Sequence, residues 1–130
     1  MPRTVITTEA APRAIGSYSQ AIESNGTVFL SGQIPLDPTT MKLVEGNLDT
    51  QLSQVFENLQ NVAEAAGGTL DDVVKVTVYL TDLSEYPVVN EVMQRFFSAP
   101  FPARAVVGVS GLPMSAPAEA DAILVLGSGR

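Results

Sequence analysis

The chain has 130 residues, with 7 lysines and arginines against 14 aspartates and glutamates, and a formal net charge of −7. It contains no histidine and no cysteine. These counts exclude a Ser-His-Asp triad, a thiol nucleophile, a zinc finger and a disulfide. The few basic residues are scattered along the chain, so we expect no nucleic-acid partner.

The length and the apolar content indicate a single domain over residues 1–130. A hydrophobic fraction of 45% is enough to build one core in a chain of this size. The longest apolar run near the C-terminus, Ala122–Leu126, is far too short to cross a bilayer. No secretory h-region is recognisable between Met1 and Gly16. We therefore expect no membrane partner and a cytoplasmic location.

The first part of the chain is predicted to form strands joined by tight turns. A weak alternation predicts a strand over Thr4–Thr7. Asn25-Gly26 is a strong hairpin signal, because both positions tolerate a positive φ. It separates predicted strands at Ser19–Glu23 and Thr27–Gln33.

A helix is predicted after a turn-rich loop at Pro35–Gly46. From Leu48 to Ala66, apolar residues recur at alternating intervals of four and three, which produces one apolar stripe on a helix. Asn47 is a suitable N-cap, and Gly67-Gly68 provides the C-terminal stop.

The next segment, Val73–Leu80, alternates with the period of a strand. The side chains predicted to be buried are Val74, Val76, Val78 and Leu80. The opposite face carries Lys75, Thr77 and Tyr79. A sheet face of this mixed character either packs against another copy of the chain or remains solvated, and we favour the first interpretation.

A second helix is predicted from Ser84–Tyr86 up to the prolines that precede residue 104. Its predicted buried side consists of Tyr86, Val89, Val92, Met93, Phe96 and Phe97. Two further strands are predicted at Arg104–Ser110 and Ala120–Leu126. The order β-β-β-α-β-α-β-β predicts an α+β domain (a mixed α/β sheet) with two helices packed on one face.

Several residues are candidates for a site, each with a structural alternative. Arg104 follows two prolines and is suited to bidentate capture of a carboxylate, or it is an ordinary surface arginine. Gly32 inside a strand indicates either a bulge or a ligand that approaches the backbone closely. Tyr18 is either a pocket wall or a loop anchor. Asn90 is either a pocket residue or a solvated helix residue.

Two acidic residues on the last strand form a second candidate feature. Glu119 and Asp121 share one face with Ile123 and Val125 by the period of a strand. They either hold a water molecule, pair with Arg104, or belong to a frayed strand end.

Taken together, these segments resemble the reactive-intermediate (imine/enamine) deaminase family, also called the YjgF or Rid family and labelled endoribonuclease L-PSP. The resemblance covers Thr8–Val125. The segments that carry it are Ala14–Ala21, Ser31–Pro35, Val73–Val78, Val89–Glu91, Phe101–Ala105 and Leu112-Pro113.

The resemblance implies a chorismate-mutase-like fold and a homotrimer, with a central barrel and pockets between subunits. It also implies hydrolysis of 2-imino and 2-enamino acids of the 2-aminoacrylate type to 2-keto acids and ammonia, without a metal or cofactor. Two alternatives are a small-carboxylate-binding regulatory trimer with little turnover and, less favoured, an endoribonuclease.

The same resemblance implies roles for individual residues. Arg104 matches the arginine that grips the substrate carboxylate. The residues that match the substrate-binding positions are Tyr18, Ser31, Gly32, Asn90, Val106 and Glu119. Val106 replaces the cysteine that is usual in the family. Asp121 is matched to the acid that positions the attacking water, where the family usually has glutamate.

Overall fold

The computed structural model describes residues 2–129 and has the predicted order of elements. The strands are β1 (Thr4–Ile6), β2 (Ala21–Ser24), β3 (Thr27–Gln33), β4 (Val73–Leu80), β5 (Ala103–Gly108) and β6 (Ala118–Val125). The helices are α1 (Leu48–Ala65) and α2 (Tyr86–Phe96). The strands form one sheet in the order β1-β2-β3-β6-β4-β5. Only β4 and β5 pair in parallel within the described residues, so the sheet is mixed as predicted.

The hydrophobic core lies between the two helices and one face of the sheet. The apolar stripe of α1 contributes Leu52, Phe56 and Leu59, all fully buried. The Phe56 ring meets the rings of Phe96 and Phe97 at centroid distances of 5.7 and 5.6 Å. This packing holds α2 against α1, and it leaves the opposite face of the sheet without helices.

The local signals of the sequence are confirmed at the hairpin and at the start of α1. Asn25 and Gly26 have φ values of 55° and 82°, as a two-residue hairpin turn requires. The Asn47 side chain accepts a hydrogen bond from the N–H of Thr50 at 3.0 Å and caps the helix. After α1, Gly67 adopts a φ of 94°.

Three strand boundaries differ from the prediction by two residues, and four others differ by one residue. Strand β2 begins at Ala21 rather than Ser19, because the Gln20 side chain is used to hold the N-terminal loop. Strand β5 ends at Gly108, two residues before the predicted Ser110. Strand β6 begins at Ala118, because its alanines alternate into the core even though they are weak strand formers.

Two predicted core residues are exposed instead. The pairing of β4 with β6 shifts by one residue between Val73 and Lys75, and this bulge turns Val73 inward and Val74 outward. Tyr86 lies in the first turn of α2, where it is 40% exposed. Its hydroxyl group contacts Arg104 rather than the core.

The helix-free face of the sheet carries a row of apolar side chains. Strand register places Val5, Ile22, Phe29 and Ile123 side by side across four strands. Phe29 is 51% exposed and Val5 is 58% exposed, which is unusual for a contiguous apolar row on a lone domain. We call this surface the open face. Among the described residues, no helix has the length and apolar character needed to span a membrane.

The loop between β3 and α1 is tied to the helix by one buried amide. Asn58 is fully buried, and its Nδ2 donates hydrogen bonds to the carbonyl oxygens of Leu36 at 2.9 Å and Ile34 at 3.4 Å. Its Oδ1 accepts a bond from Gln54 at 2.9 Å. The helix therefore positions this loop directly.

Replacing Asn58 with leucine tests this anchor. The variant keeps the side-chain size but leaves buried carbonyl oxygens without a donor, so we expect a loss of about 1–3 kcal/mol in the free energy of unfolding. Urea denaturation followed by circular dichroism measures it. The matched control is Glu57→Ala, an exposed neighbour, with an expected change within about 0.5 kcal/mol. Equal effects of the two substitutions would contradict the anchoring role.

Candidate active site

Half of the predicted site residues line one cavity of about 490 Å³. Tyr18, Ser31, Gly32 and Glu119 all line it. We call it the Glu119 cavity. A separate cavity of about 350 Å³ beside the loop after α2 contains none of the predicted site residues.

The N-terminal loop that forms one wall is pinned by Gln20, which is 4% exposed. The Gln20 Nε2 donates to the carbonyl oxygens of Thr8 at 3.0 Å and Pro12 at 2.8 Å. Its Oε1 accepts from the N–H of Thr8 at 2.7 Å. A single buried amide thus satisfies several backbone groups of a loop that has no regular structure.

Tyr18 and Ser31 connect this loop to the sheet. The Tyr18 hydroxyl oxygen accepts a hydrogen bond from the N–H of Ile15 at 3.2 Å, while the residue also lines the cavity. Tyr18 is therefore both a loop anchor and a cavity wall. The Ser31 hydroxyl donates to the carbonyl oxygen of Ser19, and the Ser31 N–H donates to that of Gln20 at 3.0 Å.

Position 32 requires glycine, because the Glu119 carboxylate lies directly against the backbone there. A Cβ atom at this position would overlap the Glu119 carboxylate. The pairing of β3 with β6 is also irregular between Leu30 and Gln33. The irregular pairing agrees with the bulge interpretation of this glycine, and the group that lies against its backbone is the Glu119 side chain.

The two acids of β6 lie on the open face but have different surroundings. Glu119 lines the cavity, and Asp121 does not. Asp121 accepts a hydrogen bond from the Tyr79 hydroxyl at 2.9 Å. The acid that lines the cavity is therefore Glu119. It lies two residues before Asp121, the acid to which the family resemblance assigned the water-positioning role.

Burial and charge raise the pKa of Glu119 above its ordinary value. Burial is the larger cause, and the neighbouring negative charge of Asp121 is the second. The hydrogen bond to Asp121 in turn raises the pKa of Tyr79, with burial and the acids' charges adding to it. Tyr79 therefore stays a protonated donor, and Glu119 becomes a stronger base than a solvated carboxylate.

Arg104 lies at a second location, near α2. Its guanidinium donates to Asn90 Oδ1 at 2.8 Å and to the Tyr86 hydroxyl at 2.7 Å, and it lies 5.4 Å from the centroid of the Tyr86 ring. A small cavity of about 240 Å³ opens beside it and is also lined by Phe101. The interaction of Asn90 with Arg104 gives this asparagine a specific role on the helix.

Tyr86 was missed as a site residue, although one signal was available. It lies four positions before Asn90 on α2, and residues with this spacing share a helix face.

Within one chain, Arg104 does not pair with the acids of β6, so this predicted alternative is wrong. Arg104 shares a register row with Val76 and Ala122, whose side chains point to the helices, whereas Glu119 and Asp121 point to the open face.

The remaining site candidate, Val106, lines neither cavity. It is half-buried and packs against the core on the helix side of β5. Among residues 2–129, no group of three or more acidic side chains has the arrangement of a metal site. The site therefore consists of two separate halves, one with a carboxylate and one with a guanidinium.

The comparisons with known proteins all indicate one family. A family model described as Endoribonuclease L-PSP matches residues 8–126. The chain is 42% identical over 125 residues to a 2-iminobutanoate/2-iminopropanoate deaminase of Dermatophagoides farinae, covering 96% of this chain and 98% of the relative. The crystal structure of RidA from an Antarctic Psychrobacter species has a TM-score of 0.91 and 50% identity, covering 95% and 99% of the two chains. Escherichia coli TdcF with bound serine has a TM-score of 0.88 and 35% identity, covering 94% and 98%.

Substitution of Gly32 by alanine tests the packing of Glu119. The added methyl group displaces the carboxylate from the backbone, and a misplacement of about 1 Å costs on the order of 100-fold in rate when the group is catalytic. We expect circular dichroism to show that the variant remains folded. We also expect its catalytic turnover to be lost. Gly111→Ala is the control, because a Cβ there contacts nothing within 4 Å. Normal turnover in Gly32→Ala would contradict a catalytic position for Glu119.

Removal of the Asp121 charge tests the electrostatics. In Asp121→Asn, we expect the pKa of Glu119 to fall, but only in part, because burial is the larger cause of its elevation and persists. A titration followed by ¹³C NMR of labelled glutamate carboxyl groups measures this shift. Asp71→Asn, at a remote acid, should leave the Glu119 titration unchanged. An unchanged titration in Asp121→Asn would refute the coupling.

Proposed function

The chain belongs to the reactive-intermediate deaminase family, the endoribonuclease L-PSP family by its model, and from that premise we propose that it hydrolyses 2-imino and 2-enamino acids to 2-keto acids and ammonia. The observation that carries the proposal is its 42% identity, over 96% of the chain, to a 2-iminobutanoate/2-iminopropanoate deaminase. The geometry of Glu119, with its neighbours Ser31 and Gly32, supports the same reaction.

The chemistry needs neither histidine nor cysteine, because the substrate carbon is already electrophilic. Water attacks C2 of the protonated imine while Glu119 accepts a proton from that water, which gives a carbinolamine. The proton then passes from Glu119 to the amino nitrogen. The C–N bond breaks, ammonia leaves, and the remaining hydroxyl group becomes the keto oxygen as its proton moves to ammonia.

In this proposal, Glu119 replaces Asp121 as the acid that positions the water. Its carboxylate lies against the Gly32 backbone in the cavity, and its raised pKa makes it a stronger general base than a solvated carboxylate. Asp121 acts through Glu119 as a positioning residue, by its charge and its bond to Tyr79.

Arg104 is proposed to bind the substrate carboxylate. Asn90 and Tyr86 hold two of its nitrogen atoms, so the guanidinium is fixed in advance and keeps further N–H groups for a bidentate contact. A net charge of −7 disfavours anions at long range. Local attraction by Arg104 must overcome that field.

The two halves meet only if copies of the chain assemble. Glu119 is on the open face of β6 and Arg104 is on the helix side of β5, with β4 between them. We therefore propose a homotrimer, as the resemblance implies, in which open faces form a central barrel and each site joins the Glu119 of one copy to the Arg104 of another. The exposed apolar row from Val5 to Ile123 supplies the contact area. The proposal places this metal-free enzyme in the cytoplasm, where it removes reactive products of amino-acid metabolism.

A second candidate is a carboxylate-binding module with little turnover, because the structural relative TdcF of E. coli was crystallised with bound serine. Calorimetry with pyruvate, compared with ammonia release from imines, separates the two functions. Binding with no acceleration of ammonia release would favour the module. Ribonuclease activity is disfavoured by the −7 charge and the absence of histidine.

Substitutions in both halves test the function and the shared site together. An amino-acid oxidase generates imines from L-alanine, and ammonia release is measured against the spontaneous rate. We expect Arg104→Ala and Glu119→Gln each to lose about 100-fold in accelerated release. Arg95→Ala is the matched control, because this arginine forms an exposed salt bridge with Asp49 at 2.7 Å.

A mixture of the two inactive variants then tests the location of the site. If the chains are unfolded together and reassembled in equal amounts, about a quarter of the sites in a cyclic oligomer receive both intact residues. Recovery of about a quarter of the normal rate supports a site between copies. No recovery on mixing would place the whole site within one chain and overturn the proposal.

A further inference from the structure

We propose that Met114 is a site of reversible oxidation, at which hydrogen peroxide converts the thioether to a sulfoxide and disrupts the Glu119 cavity. The inference concerns regulation of the proposed active site, so its consequence for turnover rests on the proposed function. The oxidation itself rests on the exposure, the backbone conformation and the location of this residue.

Methionine provides the only sulfur that an oxidant meets in this chain. The sequence has four methionines and no cysteine. Met41, Met93 and Met114 belong to the described residues, and each lies at one half of the proposed site. Met41 and Met114 line the Glu119 cavity, and Met93 lines the cavity beside Arg104. Oxidation at any of these three positions would therefore change a wall of the site.

The three methionines differ in their access to solvent. Met114 is 57% exposed and Met93 only 3%, while Met41 is half-buried. The sulfur of Met93 also accepts a weak hydrogen bond from the Arg104 guanidinium at 3.7 Å. Because oxidation requires contact between the oxidant and the sulfur atom, we expect Met114 to react first.

The backbone holds Met114 away from the core. Its φ of 57° and ψ of 25° lie in the left-handed region, which a residue with a Cβ atom seldom adopts. The N–H of Ser115 donates to the carbonyl oxygen of Leu112 at 3.2 Å. The N–H of the buried Ala116 donates to that of Pro113 at 3.1 Å. An apolar side chain is thus kept in water at a cost in conformational energy, which indicates a role other than packing.

Peroxide reaches Met114 wherever the substrate reaches Glu119. Both residues line the same cavity, and hydrogen peroxide is smaller than any 2-imino acid. Assembly of several copies around the site therefore leaves Met114 accessible as long as the site is open to its substrate.

The oxidation is a two-electron step. The Met114 sulfur attacks one oxygen atom of hydrogen peroxide, an S–O bond forms and the O–O bond breaks. The departing hydroxide takes the proton from the new S–OH group and leaves as water. A methionine sulfoxide reductase reverses the step with a dithiol, which becomes a disulfide while the sulfoxide oxygen leaves as water.

The sulfoxide changes the surroundings of Glu119. A thioether is apolar, whereas an S=O group is polar and retains water. Burial is the larger cause of the raised pKa of Glu119. Water held by the sulfoxide should therefore lower that pKa and weaken the general base.

The competing target is Met93. A sulfoxide there would place an oxygen atom beside the Arg104 guanidinium, where it would compete with the substrate carboxylate. Its burial protects it while the chain is folded. The two targets therefore differ in the rate at which each methionine reacts.

Peptide mapping after treatment with hydrogen peroxide identifies the target, because each of the three methionines lies in its own tryptic peptide. These peptides are Ala14–Lys42, Val76–Arg95 and Ala105–Arg130. In the folded protein, we expect Met114 to be oxidised more than about tenfold faster than Met93. In urea, the two should react at equal rates. Oxidation of Met93 at the same rate as Met114, or faster, in the folded protein would overturn the assignment.

Turnover of the alanine-derived imine tests the consequence, with each protein compared with its own untreated rate. Catalase ends the treatment and removes the peroxide that the amino-acid oxidase releases. We expect the native rate to fall about fivefold, equivalent to about 1 kcal/mol in the barrier. Sulfoxide reductases specific for the two epimers should restore it. Met114→Leu has no sulfur at this position and should resist the treatment, whereas Met41→Leu, the matched control from the same cavity, should respond as the native protein does.

The outcomes separate this inference from the proposed function. A loss in Met114→Leu equal to the native loss overturns the inference, and so does full turnover by native protein that is oxidised at Met114. If the untreated native chain hydrolyses no imine, the proposed function fails, and ¹³C NMR titration of labelled glutamate carboxyl groups decides the inference instead. A lower pKa of Glu119 after oxidation, absent in Met114→Leu, supports it, and an unchanged titration overturns it.

Discussion

The pleat of the sheet is the constraint on which the site depends. Side chains of a strand alternate between its two faces. The side chains of each register row therefore point either toward the helices or toward the open face. Arg104 is in a row with Val76 and Ala122, whose side chains lie under the helices. Glu119 is in a row with Tyr79 and points the other way. A substrate of a few carbon atoms cannot reach both groups in one chain, and this separation is the physical reason to expect a shared site.

In the half of the site that contains Glu119, close packing raises the basicity of a carboxylate, and no histidine or cysteine is present. The chain has no imidazole or thiol, and the base that this half offers is a carboxylate with a raised pKa. The sheet provides this by burying Glu119 against Gly32 and by placing Asp121 two residues away on the same face. The bond from Tyr79 to Asp121 fixes that second charge. The missing residue types therefore narrow the chemistry to substrates that are already electrophilic.

The sequence predicts those features that depend on local periodicity or on a turn residue. The bounds of β3 and β4, the cap at Asn47 and the Asn25-Gly26 hairpin follow from signals within a few residues. Errors occur where tertiary contacts decide. The bulge that exposes Val74 arises from pairing with β6, and Tyr86 leaves the core to bind Arg104. Alternation places Glu119 and Asp121 on one face, and only the surrounding strands and loops determine that Glu119 is the acid that lines the cavity.

Backbone strain gives information that side-chain patterns lack. Periodicity is silent about Met41 and Met114, because each lies in an irregular loop and resembles any other exposed methionine. Their positive φ values separate them from residues that merely fill a loop, and their shared cavity links two segments that are distant in the chain.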